Sequence, residues 1–142
     1  MKISIDITLS TLHLGKYHRV VTLCQNGRDP AAEFLLKLRK DDENRFRSLK
    51  SRIRSVAHYE RYENNQTFNY LDDGIYEFKK AGLRLYAFHD TIEGIHPLII
   101  CTNGGTKNTK KGQRRDISKA KERRRNYFSL KFLKNTRVEI SK

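Results

Sequence analysis

Lys79 and Arg84 are the residues whose chemistry and spacing stand out first. They lie in two runs rich in aromatic and branched side chains, 74–80 and 83–90, separated by Ala81-Gly82. That pattern predicts a β-hairpin. With Ala81-Gly82 as the loop, Lys80 faces Leu83, Lys79 faces Arg84, Phe78 faces Leu85 and Glu77 faces Tyr86. Alternation then assigns Tyr76, Phe78, Leu85 and Ala87 to a core face, and places Glu77, Lys79, Arg84 and Tyr86 outside the core. Two cations directly across a ladder repel unless an anion lies over them. Downstream, Lys107, Lys110 and Lys111 follow Gly104-Gly105, where a backbone can approach a phosphate and expose its amides. Both sets of residues suit the binding of phosphate oxygens.

The charge of the whole chain points the same way. Its 142 residues carry a formal charge of +14, and residues 107–142 hold fourteen Lys or Arg against Asp116, Glu122 and Glu139. Such asymmetry predicts a polyanionic partner, most often nucleic acid, with a solvated basic tail as the plainer alternative. Hydrophobic content of 37% and an aromatic share of 10% exclude a disordered chain, and the length predicts one domain, 1–142. Cys24 and Cys101 sit in apolar, strand-like runs and are expected to be reduced and buried. Two cysteines and five scattered histidines give no metal-ligand spacing, so neither metal nor cofactor is expected. The N-terminus alternates Ile3, Ile5, Ile7 and Leu9 with polar residues, unlike a signal peptide, and no run reaches membrane-spanning length. A cytoplasmic location, with no membrane partner, is expected.

The elements that must position the cations follow from periodicity. Residues 3–9 read as a half-buried strand and 18–24 as a second. Asp29-Pro30 opens a helix with apolar residues Ala31, Phe34, Leu35 and Leu38. After a charged break at 39–43, Phe46, Leu49, Ile53, Val56 and Ala57 predict a second helix. Residues 61–73 are polar and read as loop, the hairpin follows, and 96–103 predicts a central strand ended by Asn103-Gly104-Gly105. Residues 107–115 read as a basic loop, and Asp116 or Ser118 as the cap of a last helix running to about residue 132. The expectation is an α+β fold: an antiparallel sheet packed by an N-terminal helix pair, with a basic C-terminal helix. Residues 1–16 form an N-terminal extension of unassigned role.

Several of these stretches resemble one family. Asn26-Gly27-Arg28-Asp29-Pro30 with Glu33-Phe34-Leu35 is similar to the opening of RelE/HigB-like toxins, notably the phage-associated HigB branch. Asp73-Gly74-Ile75-Tyr76-Glu77-Phe78-Lys79 resembles its Asp-Gly-Ile-Tyr-Glu-Leu-Arg element. The stretch from Gly82 to Asp90 resembles its next strand, and Ile100 to Thr109 with Arg115-Asp116-Ile117 its last strand, basic loop and terminal helix. The resemblance covers about residues 18–134 and implies a RelE-like fold. It also implies a ribosome-dependent messenger-RNA endoribonuclease, the toxin of a toxin–antitoxin system, held inactive by an antitoxin encoded nearby.

Carried over by position, the resemblance implies catalytic roles for Lys79, Arg84, Lys107, Lys110 and Tyr127. The family's His-Gly-Phe is Asn103-Gly104-Gly105 here, and its second basic residue is Asn108. Attack of a ribose 2′-hydroxyl on its phosphate develops negative charge that Arg84 and Lys107 can stabilise without metal. Lys79 is assigned as the base, since neighbouring positive charge favours a neutral amine. Lys80, Lys111, Arg114, Arg115, Arg123, Arg124 and Arg125 are expected to hold RNA backbone. Plainer readings stand beside these. Arg84 can pair with Glu77, Lys79 can guard a sheet edge, the basic loop can be merely solvated, and Tyr127 and His89 can be structural. Two other functions also fit: a non-catalytic toxin on this scaffold that binds a protein such as DNA gyrase, or a plain nucleic-acid-binding protein.

Overall fold

The computed structural model describes residues 5–106, 109–133 and 136–141. Two strands, β1 (Ile5–Leu14) and β2 (Arg19–Gln25), precede two helices, α1 (Pro30–Asp41) and α2 (Glu43–His58). Four strands follow: β3 (Phe68–Asp72), β4 (Ile75–Lys80), β5 (Leu83–Asp90) and β6 (Leu98–Thr106). Helix α3 (Lys110–Lys131) and strand β7 (Thr136–Ser141) complete the order. The seven strands form one sheet in the order β3-β4-β5-β6-β2-β1-β7.

The fold is α+β, but the sheet is mixed, which corrects the expectation of an antiparallel one. Strands β6 and β2 pair in parallel, as do β1 and β7, whereas the hairpin pairings are antiparallel. The apolar run of β6 reflects this central place. Ile99 and Cys101 face the layer formed by α1 and α2, while Leu98 and Ile100 face α3. A strand covered on both faces cannot alternate apolar with polar residues.

The helix starts obey their caps. Asp29 accepts a hydrogen bond from the Ala32 amide at 2.9 Å, with Pro30 at the first helical position. Asp42 closes α1 and caps α2, accepting from the Arg45 amide at 3.2 Å. Helix α3 starts earlier than its carboxylates suggested. Thr109 caps it, accepting from the Gly112 amide at 2.9 Å, so much of the anticipated basic loop is helix. Among the described residues, no helix is long and apolar enough to cross a membrane.

Three further expectations change. Residues 68–72, read as loop, pair with β4, and Phe68 is buried against Phe78. The strand expected within 3–9 is present but runs on to Leu14, so most of the described N-terminal extension is β1, between β2 and β7. Asn103-Gly104-Gly105 does not end its strand, which runs on to Thr106 opposite Leu83. The two glycines thin the strand on both sides. A Cβ at Gly104 would collide with the Phe34 ring, and one at Gly105 with the Asp116 carboxylate.

This predicts that Gly104→Ala destabilises the fold by about 1–3 kcal/mol, the usual cost of overpacking. Urea denaturation checks it, and adding Phe34→Leu should recover part of the loss. An unchanged midpoint would mean that the Phe34 ring swings aside freely.

Candidate functional site

The hairpin register matches the sequence expectation residue for residue: Lys79 lies opposite Arg84, Glu77 opposite Tyr86 and Phe78 opposite Leu85. Strand β6 extends the row, placing Gly105 opposite Arg84 and Asn103 opposite Tyr86. The face carrying them differs from expectation. Tyr86 and Glu77 are 1% and 4% exposed, because the apolar stripe of α3 covers this face too.

Under that cover the repulsion between Lys79 and Arg84 finds its anion. Arg84 Nε stands 3.2 Å from Glu77 Oε1, with the side chains 12% and 5% exposed. The pair lacks the alignment of a hydrogen bond, and other groups complete its solvation. Asn69 donates to Glu77 at 3.2 Å, and Arg84 Nη1 donates to the Leu83 carbonyl at 2.8 Å. The plainer reading of Arg84 therefore holds as geometry: it is the buried partner of Glu77. It also leaves the guanidinium fixed beside Lys79 at the open end of the sheet.

Asp116 joins this cluster from α3. Its carboxylate rests against Gly105, and its backbone carbonyl accepts from Asn103 Nδ2 at 3.0 Å. Asn103 is oriented in turn by the Thr102 hydroxyl, which donates to its Oδ1 at 2.8 Å. Burial raises the Asp116 carboxyl above its ordinary range, against the pull of Lys119 and Arg115. Burial likewise pushes the Tyr86 phenol well up, with the Asp116 and Glu77 carboxylates adding to the shift and Arg84 opposing it.

Helix α3 carries ten Lys or Arg against Asp116 and Glu122, and they divide into two sets. The inner set is engaged. Lys121 bridges Asp72 and Asp73 at 2.9 and 3.3 Å, and Lys131 meets Asp90 at 2.7 Å. Arg123 donates to the Leu23 carbonyl at 2.9 Å, and Arg124 lies 5.0 Å over the Phe128 ring. Lys110, Lys111, Arg114, Arg115, Lys119 and Arg125 form the exposed outer set. Of the residues expected to hold RNA backbone, Arg123 and Arg124 thus serve the helix's own attachment, whereas Lys111, Arg114, Arg115 and Arg125 face solvent. Lys80 is half-buried at the hairpin tip, and Lys107 lies outside the described residues.

Tyr127 is not brought to the hairpin cations. Its buried hydroxyl donates to Asp90 Oδ2 at 2.6 Å, an oxygen shared with Lys131. Asp90 is six residues along β5 from Arg84, about 20 Å away at strand rise. The tyrosine beside Arg84 is Tyr86. Asp116 is the member that sequence reasoning did not place in the site, although Gly105 signalled a close approach; Tyr86 was placed on this face but given no role. On the opposite face, His89 meets the Tyr76 ring edge-on at 4.6 Å and belongs to a separate aromatic cluster with Phe68 and His18.

No protein-family model matches the chain, and no curated protein is similar to it.

Two stability outcomes follow from this geometry. Arg84→Ala strands a buried carboxylate and should cost about 3–5 kcal/mol, whereas changing Glu77 and Arg84 together to glutamine should cost less. Tyr127→Phe should cost about 2 kcal/mol, the scale of a hydrogen bond to a charged acceptor, and leave nucleic-acid binding unchanged. Chemical denaturation and RNA titration of the three variants check both.

Proposed function

We propose that this protein is a metal-independent endoribonuclease acting on messenger RNA at the ribosome, a toxin of the RelE/HigB kind held in check by an antitoxin. The observation that carries the reading is the placement of Lys79 directly across from Arg84 at the open end of the sheet. Helix α3 follows β6, whose Gly105 lies opposite Arg84, and its first turns present Lys110, Lys111, Arg114 and Arg115 to solvent. A cation pair flanked by a cationic ridge suits a phosphodiester whose neighbouring phosphates need holding.

In this reading Lys79 takes the proton from the ribose 2′-hydroxyl as that oxygen attacks phosphorus. Arg84, fixed by Glu77, stabilises the charge gathering on the phosphoryl oxygens, an effect worth roughly 3 kcal/mol per donor. Lys110 protonates the departing 5′-oxygen. The products are a 2′,3′-cyclic phosphate and a 5′-hydroxyl. The outer cations of α3 contribute phosphate contacts, which position the strand without selecting its sequence. An antitoxin with an acidic surface would cover the same ridge.

Purified ribosomes, a defined message and the protein test this directly. Lys79→Ala should slow cleavage by about 100-fold or more, the contribution expected of a positioned base. A 2′-deoxyribose at the cut position should stop cleavage, and a chelator should not. Intact RNA with a salt-sensitive shift would instead indicate plain binding, and trapped DNA gyrase a protein-directed toxin.

A further inference from the structure

Beyond Asp116, on the side of β6 away from Arg84, a cleft of about 450 Å³ opens between α3 and the turn joining β2 to α1. That volume falls within the roughly 300–1,000 Å³ typical of small-molecule sites. Two of the side chains lining it carry buried nitrogens without partners. Gln25 is 8% exposed, yet its Nε2 finds no acceptor. Arg123 donates through Nη2 to Leu23, but its buried Nε finds none. Among the described residues, no donor reaches the Asp116 carboxylate. Unpaired buried donors and a half-exposed carboxylate lining one cleft suit a ligand carrying both acceptors and donors.

The chemistry of the walls narrows that ligand. Lys119 and Arg28 are offset by Asp116 and Glu122, so the cleft is far less cationic than the outer face of α3 and does not suit a bare phosphate. Carboxylates, amides and a guanidinium instead match the edge of a nucleobase. Guanine alone among the four RNA bases sets two neighbouring donors, N1–H and the 2-amino group, against a carboxylate. It also offers O6 and N7 as acceptors to an arginine or an amide. The location suits this use. The cleft is lined on β6 by Asn103 and Gly104, next to Gly105, which lies one strand from Arg84 and two from Lys79, so its near wall stands about 10 Å from Lys79.

We propose that this cleft receives the guanine base of the RNA nucleotide beside the scissile phosphate. Asp116 accepts from N1–H and the 2-amino group, and Gln25 with Arg123 donates to O6 and N7. The proposal rests on the endoribonuclease reading for its biological substrate, but the base contacts themselves do not require cleavage.

Calorimetric titration of the whole protein with the 3′-monophosphates of guanosine, adenosine, cytidine, uridine and inosine tests it. Guanosine 3′-monophosphate should bind at least tenfold more tightly than the adenosine, cytidine and uridine forms. The inosine form, lacking the 2-amino group, should fall between guanosine and adenosine. Asp116→Asn should erase the preference. The inosine comparison needs no variant, so a misfolded Asp116→Asn leaves the test standing. Equal affinities, absence of binding, or a preference that survives in folded Asp116→Asn would overturn the proposal. Mapping cuts on a ribosome-bound message separates the two readings. Guanine selectivity without cleavage keeps the cleft and removes the nuclease; cleavage indifferent to the neighbouring base, with no selective titration, does the reverse.

Discussion

The buried ion pair of Glu77 and Arg84 is the contact on which the rest of this face depends. Lys79 and Arg84 are forced into opposition by the hairpin register, and α3 then removes most of the water that would screen them. Two cations in that position would push the hairpin apart. A carboxylate two residues before Lys79, on the same face of β4, neutralises one of them. Desolvating such a pair is costly in itself, and the added hydrogen bonds from Asn69 and to Leu83 are what make it tolerable. Once the pair is in place, a helix as basic as α3 can lie on this face without adding to an unbalanced charge.

The division of α3 into inner and outer cations follows the same logic. A helix with so many like charges gains little from its own turns, since cations three and four apart repel. Its attachment comes from the sheet side. Ala120 and Tyr127 are buried there, Lys121 and Lys131 meet carboxylates, and Arg123 reaches a strand carbonyl. The outward cations have no such balance, and the sheet gains nothing from them. Charge that a fold does not use for its own cohesion is what a polyanion can recruit, and a solvated ridge of this kind remains sensitive to salt.

What the sequence revealed depended on how local the cause was. The hairpin was readable to the residue, because alternation and a two-residue loop fix register without help from elsewhere. The N-cap of α1 was readable for the same reason. Strand β3 was not, since its five residues, set in a polar stretch, acquire strand structure only by pairing with β4. The burial of Glu77 and Tyr86 was equally hidden. It depends on where α3 lands, about 30 residues later, and nothing in the hairpin announces a second layer. Gly104 and Gly105 were visible but misread as a stop; they are the places where Phe34 and Asp116 press against the strand from opposite sides. Tyr127 shows the limit of reading a role from position in a helix, because its hydroxyl is already committed to Asp90.

For the proposed reaction, an arginine already paired with a carboxylate is not thereby a poor electrostatic catalyst, because the relevant quantity is the change along the reaction. A free, solvated arginine must reorient and shed water as charge moves onto a phosphoryl oxygen. One held by Glu77 and the Leu83 carbonyl has met those costs during folding. The pairing weakens its field at the ground state and the transition state alike, and leaves intact the part that grows as charge develops. Glu77 thus fixes the direction of Arg84, while Asp116 lines the cleft on the far side of β6. In the proposed reading, a single short row across three strands, Lys79, Arg84 and Gly105, would order the backbone and the base of one nucleotide along the sheet.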